Sequence, residues 1–144
     1  MGRIICRELK EKDIKFVVIE KRPDTFGSGE ETLVLKGDAT KDENLKEVGI
    51  EKAKGLISVL PTDAENLFVV LSARELNPNL FIVARAGEEG SEQKLLRAGA
   101  DRVIGRAQDS AYSVKACCCR LYRIRYKKRQ HRPSDGGNNS PEQL

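Results

Sequence analysis

Gly55-Leu56-Ile57-Ser58-Val59-Leu60-Pro61-Thr62-Asp63-Ala64-Glu65-Asn66 is an apolar run that stops at a polar cluster and then opens a helix. Residues 56–60 read as a strand. Thr62-Asp63-Ala64-Glu65 is a capping box, in which Thr62 and Glu65 can each satisfy the other's backbone donor, and the helix over 66–76 runs until Asn77-Pro78 stops it. A strand that leads straight into a capped helix is half of a βαβ unit. Three other apolar runs end in the same way: 16–19 in Glu20, 33–35 in Gly37-Asp38-Ala39-Thr40, and 81–84 in Arg85. Since ligands bind open parallel sheets beyond the carboxyl ends of the strands, these four polar endings locate a candidate site.

The remaining segments fit the same rhythm. Residues 3–12 read as a helix with the apolar stripe Ile4, Ile5, Leu9. Thr40-Lys41-Asp42-Glu43 repeats the capping box before a short helix that Gly49 ends, and a helix over 91–98 closes at Gly99 before the strand 102–104. Leu45-Lys46-Glu47-Val48-Gly49-Ile50 and Leu95-Leu96-Arg97-Ala98-Gly99-Ala100 echo each other as helix-to-strand returns. Pro23, Gly27 and Gly29 make residues 22–32 a loop.

The bulk properties fit one α/β domain. With 144 residues, 39% hydrophobic and 33% charged, the chain has room for one core. No apolar run reaches the length of a membrane helix, the start lacks a signal peptide, and the cysteines show no disulfide framework, so a cytoplasmic protein is expected. Charge is uneven: residues 1–104 carry a net of −2 and residues 105–144 a net of +6. Beyond Gly105 the βα rhythm ends, and Pro133-Ser134-Asp135-Gly136-Gly137-Asn138-Asn139-Ser140-Pro141 has a disordered composition. A basic, disordered tail is expected over 105–144. Its tyrosines, Tyr122 and Tyr126, are a thin basis for nucleic-acid or anionic-lipid binding, and no nucleic-acid partner is expected. His131 is the sole histidine, so no histidine-based triad or metal site can form in the domain; Cys117-Cys118-Cys119 are contiguous and cannot make a C-x-x-C site.

Each candidate residue has a ligand reading and a plain one. Glu20 can accept both hydroxyls of an adenine ribose and would repel a 2′-phosphate; alternatively it is a solvated strand-end carboxylate. Lys21 follows it. Gly37 and Ala39 allow close backbone approach, Asp38 can meet the adenine or ribose edge, and Thr40 starts a helix; the alternative is a turn with a cap. Thr62, Asp63 and Asn66 place a hydroxyl, a carboxylate and an amide at a helix N-terminus, although capping alone accounts for Thr62 and Glu65. Arg85 can clamp a pyrophosphate or pair with Glu88 or Glu89.

The series Gly37-Asp38-Ala39-Thr40, Ala53-Lys54-Gly55-Leu56-Ile57, Asp63-Ala64-Glu65-Asn66-Leu67, Ala73-Arg74-Glu75-Leu76-Asn77-Pro78, Ile82-Val83-Ala84-Arg85-Ala86 and Leu96-Arg97-Ala98-Gly99-Ala100-Asp101-Arg102-Val103-Ile104 resembles the N-terminal domain of the RCK family, the Trk-type NAD-binding domain of potassium channels and potassium uptake regulators. The resemblance covers residues 2–104. It implies a Rossmann-like doubly wound parallel sheet that binds NAD(H), ATP or ADP, forms dimers or gating rings, and serves a channel or transporter membrane subunit from the cytosolic face without catalysis. By position it places Glu20 and Lys21 on the ribose, Asp38, Ala39 and Thr40 on the adenosine side, Thr62, Asp63 and Asn66 at the closing edge, Arg85 on phosphate, and Gly2 and Arg3 at the end of a glycine-rich loop. The family's first apolar strand is not found ahead of Gly2, so the sheet is expected to lack it and to bind nucleotide weakly. The alternatives are a fragment of an NAD-dependent oxidoreductase, which would need catalytic groups that no downstream motif supplies, or a non-functional product.

Overall fold

The computed structural model describes residues 2–22 and 33–105. Its elements run α1 (Gly2–Glu11), β1 (Val17–Glu20), β2 (Leu33–Lys36), α2 (Asp42–Glu47), a 3₁₀ turn (Ile50–Lys52), β3 (Gly55–Ser58), α3 (Asp63–Leu76), β4 (Phe81–Arg85), α4 (Ser91–Ala98) and β5 (Arg102–Ile104). The loop expected over 22–32 and the tail expected after 105 fall almost wholly outside the described residues.

All strand pairs are parallel. β1 pairs with β2, Val17 opposite Leu33, and β4 lies between β3 and β5, with Gly55 opposite Phe81 and Val83 opposite Arg102. The ladders form two groups, β1-β2 and β3-β4-β5. The missing first strand is thus seen as a break: in the 3-2-1-4-5-6 order of this fold class, a central strand would lie between β1 and β3.

The strand period of two sends side chains to two helical layers. On one face Leu56, Ile82 and Ala84 join Leu45 of α2, Val70 and Ala73 of α3 and Leu95 of α4, with Ile19 of β1 packed against them. On the other face Phe16, Ile57 and Val59 pack on Ile5 and Leu9 of α1 and on Ile14. Helices on both faces of a parallel sheet confirm the doubly wound α/β class, and they explain why the strands are apolar throughout instead of alternating.

The helix ends follow their local chemistry, with one correction. Around α3, Thr62 Oγ1 accepts the Glu65 N–H at 3.2 Å and Glu65 Oε2 accepts the Thr62 N–H at 3.3 Å, the expected reciprocal box; because Thr62 is the cap, the helix begins at Asp63 and not at Asn66. The second box does not form. Lys41 is the N-cap of α2 and makes no side-chain capping bond. Thr40 is instead drawn back to Asp38, which accepts its N–H at 2.9 Å and its hydroxyl at 2.6 Å. An aspartate two residues upstream outcompetes the cap by making its own turn. The paired helix ends hold: Gly49 and Gly99 adopt φ of 83° and 122°, a region that strains other residues. They diverge afterwards, since Gly49 leads into the 3₁₀ turn and Gly99 towards β5.

Candidate functional site

Glu20 is the last residue of β1, and its Oε1 accepts the Arg22 N–H at 3.2 Å. Lys21, immediately beyond, brings three segments together: its Nζ lies 3.6 Å from Asp38 Oδ2 and 3.8 Å from Glu65 Oε1. The carboxyl end of β1, the turn after β2 and the first turn of α3 therefore meet at one edge. Lys21 is more than half exposed, so these pairs contribute only about 0–1 kcal/mol each. They mark a position more than they hold one.

The turn after β2 is built around Asp38. Besides the two bonds from Thr40, the Asn44 side-chain amide donates to the Asp38 carbonyl at 2.8 Å and the Gly37 N–H donates to the Glu20 carbonyl at 3.1 Å. The Thr40 hydroxyl, then its N–H, and then Lys21 hold the Asp38 carboxyl below its ordinary range against a smaller opposing effect of burial. Gly37 does not leave room for a ligand here. A Cβ at that position would sit 2.9 Å from the Asn44 amide carbon, so the absence of a side chain lets Asn44 reach the turn.

At the third edge the protein uses its own polar groups. Asn66 is buried, and its Oδ1 accepts the Ser58 hydroxyl at 2.7 Å and the Leu60 N–H at 2.8 Å. Its Nδ2 donates to the Leu60 and Arg85 carbonyls at 3.2 and 3.0 Å. All four hydrogen-bonding positions of the amide are filled, which ties β3, the start of α3 and the end of β4 together. Asp63 fastens the loop after β4, accepting the Gly87 N–H at 2.6 Å and the Glu88 N–H at 2.9 Å. Burial pushes its carboxyl up, but bonds from Gly87, the Ser91 side chain and Glu88, with the Arg85 charge, outweigh that and leave it below the usual 3.8. Arg85 thus has Asp63 as an electrostatic neighbour.

The structure therefore gathers Lys21, Asp38 and Thr62–Glu65 at the carboxyl edge, with Glu20, Ala39 and Thr40 adjoining and Asp63 and Arg85 at the next strand end. Gly2 and Arg3 open α1, and no described hydrogen bond or ion pair joins them to the others. Ser58, Gly87 and the Lys21-facing role of Glu65 were not singled out from sequence. Ser58 could have been: a lone hydroxyl in an apolar strand covered on both faces needs a partner, and Asn66 supplies it. Among the described residues, no group of three His, Cys, Asp or Glu side chains is arranged to hold a metal ion.

The chain matches the TrkA-N domain over residues 1–106. It is 45% identical over 108 residues to potassium channel protein 1 of Methanocaldococcus jannaschii, a match covering 72% of this chain and 32% of that protein. The chain thus spans about a third of the length of such relatives. Among solved structures, the TrkA-N domain of inner membrane protein ybaL from Escherichia coli superposes with a TM-score of 0.68 at 27% identity, covering 81% of this chain and 88% of that one. The GsuK channel bound to NAD superposes at 0.61 with 30% identity, covering 83% of this chain and 22% of that one. A structure of GsuK bound to ADP gives 0.60 at the same identity, covering 83% and 30%.

Proposed function

We propose, from the premise that this chain belongs to the TrkA-N domain family, that it is a regulatory domain that binds NAD(H), ADP or ATP and thereby controls potassium movement through a membrane channel or transporter. The observation that carries this reading is the meeting of Lys21, Asp38 and Glu65, which assembles a charged edge from three strand endings where this fold class takes its ligands. Support comes from the NAD-bound and ADP-bound GsuK structures, which share the fold at 30% identity.

The residues fit a dinucleotide. Glu20 makes one described hydrogen bond, to the Arg22 N–H, and has acceptor capacity left for the two hydroxyl donors of a ribose. Asp38 Oδ2, Ala39 and Thr40 flank it on the adenosine side. Lys21 and Arg85 supply positive charge for phosphate, and Gly2 and Arg3, at the start of α1, add backbone N–H groups. Thr62, Asp63 and Asn66 act through the loops they hold. Displacing Lys21 from Asp38 and Glu65 is cheap, so the ion pairs are a small barrier to ligand entry.

In this role the nucleotide is an effector and is not consumed. It works by binding one arrangement of the regulatory assembly more tightly than another. The assembly is a homo-oligomer at the cytosolic face of the membrane, attached to a channel or transporter subunit. No helix among the described residues is long and apolar enough to cross a membrane. Phe68 and Leu71 of α3 and Leu96 of α4 leave an apolar surface for self-association.

The test is isothermal titration of the chain with NAD and with ADP, beside Glu20→Ala. The variant should bind about 1–3 kcal/mol more weakly, the range for losing hydrogen bonds to a charged group. Equal affinity of variant and parent, or steady turnover of NADH with added substrates, would overturn the reading.

A further inference from the structure

The two ladders, β1-β2 and β3-β4-β5, are separate, yet the helical layers cross both without a break. Ile19 of β1 and Leu56 of β3 belong to the same core face, and Phe16 ahead of β1 shares the other face with Ile57 and Val59. Lys21, after β1, meets Glu65, after β3, which places the carboxyl ends of both strands at one end. The layers over the sheet are continuous across the break, and the hydrogen bonding is not.

The direction of the backbone groups defines what the break offers. In an extended strand the N–H and C=O of one residue point to the same side, and successive residues alternate. The Glu20 carbonyl accepts from Gly37 in β2's direction, so Val18 and Glu20 face β2, and Val17 and Ile19 face away from it. The Lys54 carbonyl accepts from Phe81, so Leu56 and Ser58 face β4, and Gly55 and Ile57 face away. Among the described residues, the backbone groups of Val17, Ile19, Gly55 and Ile57 have no hydrogen-bond partner. Two open edges of matching length thus flank one slot, with apolar side chains above and below.

We infer that the slot between β1 and β3 is a strand acceptor, which takes one extended apolar segment of about five residues, the common strand length, from a partner polypeptide. The hydrogen bonds come from both edges, so a docked segment completes two ladders at once, whereas an ordinary sheet edge completes one. The segment must be apolar on both sides because both helical layers cover it, and a charged or alternating sequence would bury polar groups without partners.

The test uses the full chain and an acetylated, amidated peptide of five alternating valines and isoleucines with a lysine at each end, followed by amide hydrogen exchange in the absence of nucleotide. The peptide should slow exchange at Val17, Ile19, Gly55 and Ile57 by about tenfold or more, and leave the outer strands β2 and β5 unchanged. A peptide with the same side chains but N-methylated backbone amides should give no protection. Val17→Pro, at the first residue of a strand where proline is tolerated, should weaken the effect by removing one donor facing the slot. Protection confined to one of the two edges, protection of β2 or β5 instead, equal protection by the N-methylated peptide, or none at all would each overturn the inference. The N-methyl comparison decides the matter even if Val17→Pro fails to fold.

Discussion

Replacing Asn66 by alanine should cost more stability than any other single change at the carboxyl edge, and it should do so with no ligand present. The side chain is 1% exposed and gives partners to the Ser58 hydroxyl, the Leu60 N–H and the Leu60 and Arg85 carbonyls. Alanine leaves two donors and two acceptors without their partner. An unpaired buried donor costs about 1–3 kcal/mol; Ser58 is buried while Leu60 is half-buried and can recover some hydration, so the loss should total about 2–4 kcal/mol. That is a large share of the roughly 5–15 kcal/mol that holds a domain together. Asn66→Asp keeps the shape and both acceptor bonds but turns a carboxylate oxygen towards two carbonyls. Its folded carboxyl should titrate above the unfolded one, so the penalty is absent well below about pH 4 and grows as pH rises. Urea unfolding followed by circular dichroism reads both variants. An Asn66→Ala midpoint that reports a change under about 1 kcal/mol would refute the network as the tie between β3, α3 and β4.

Asp63→Asn should flatten the acid limb of the stability curve. Because the native carboxyl is held below 3.8, its contribution is complete above that value and is lost as pH falls through the lower folded value. The parent should therefore lose stability below about pH 4 more steeply than the variant, as urea midpoints from pH 2 to 7 would show. Phe68→Glu together with Leu71→Glu, at positions 60% and 49% exposed, should shift sedimentation towards monomer without changing the far-ultraviolet spectrum. An already monomeric parent at tens of micromolar would count against that surface as an interface.

The order of elements was readable because each strand is a short apolar run and each helix ends in local chemistry: Thr62 with Glu65, Asn77 with Pro78, Gly49 and Gly99. What misled was competition between neighbours. Thr40 has the right spacing to Glu43 for a cap, but Asp38 claims its N–H and hydroxyl first, and nothing in the four-residue pattern ranks the two. Gly37 looked like room for a ligand, and whether such room is filled depends on Asn44, seven residues on and across a turn. Asn66 carries the same lesson in the interior. A buried amide at a helix start fits both a ligand contact and a structural tie, and only the tertiary position of Ser58, Leu60 and Arg85 shows that its hydrogen bonds are all made within the protein.

These placements bear on how a bound nucleotide would act in the proposed role. Glu20 and Asp38 belong to the β1-β2 ladder, and Thr62, Glu65 and Arg85 to the β3-β4-β5 side. Among the described residues, the printed polar links between these two edges run through Lys21 and are exposed and weak. Apolar packing on both faces, through Ile19 on one and Phe16 on the other, carries the rest. A ligand that contacts both sides spans the break in the ladder, so its binding energy opposes the separation of the two groups in particular. At a hundred times its dissociation constant, such a ligand stabilises the native state by about 2.7 kcal/mol. The unfolding midpoint should therefore rise with NAD in the parent chain and rise less at the same concentration in Glu20→Ala, whose weaker grip removes the contact on one side of the break. A ligand held by one ladder alone would stabilise by mass action too, but exchange protection would then stay within that ladder. Protection on β1 and β3 together is what a bridging nucleotide requires.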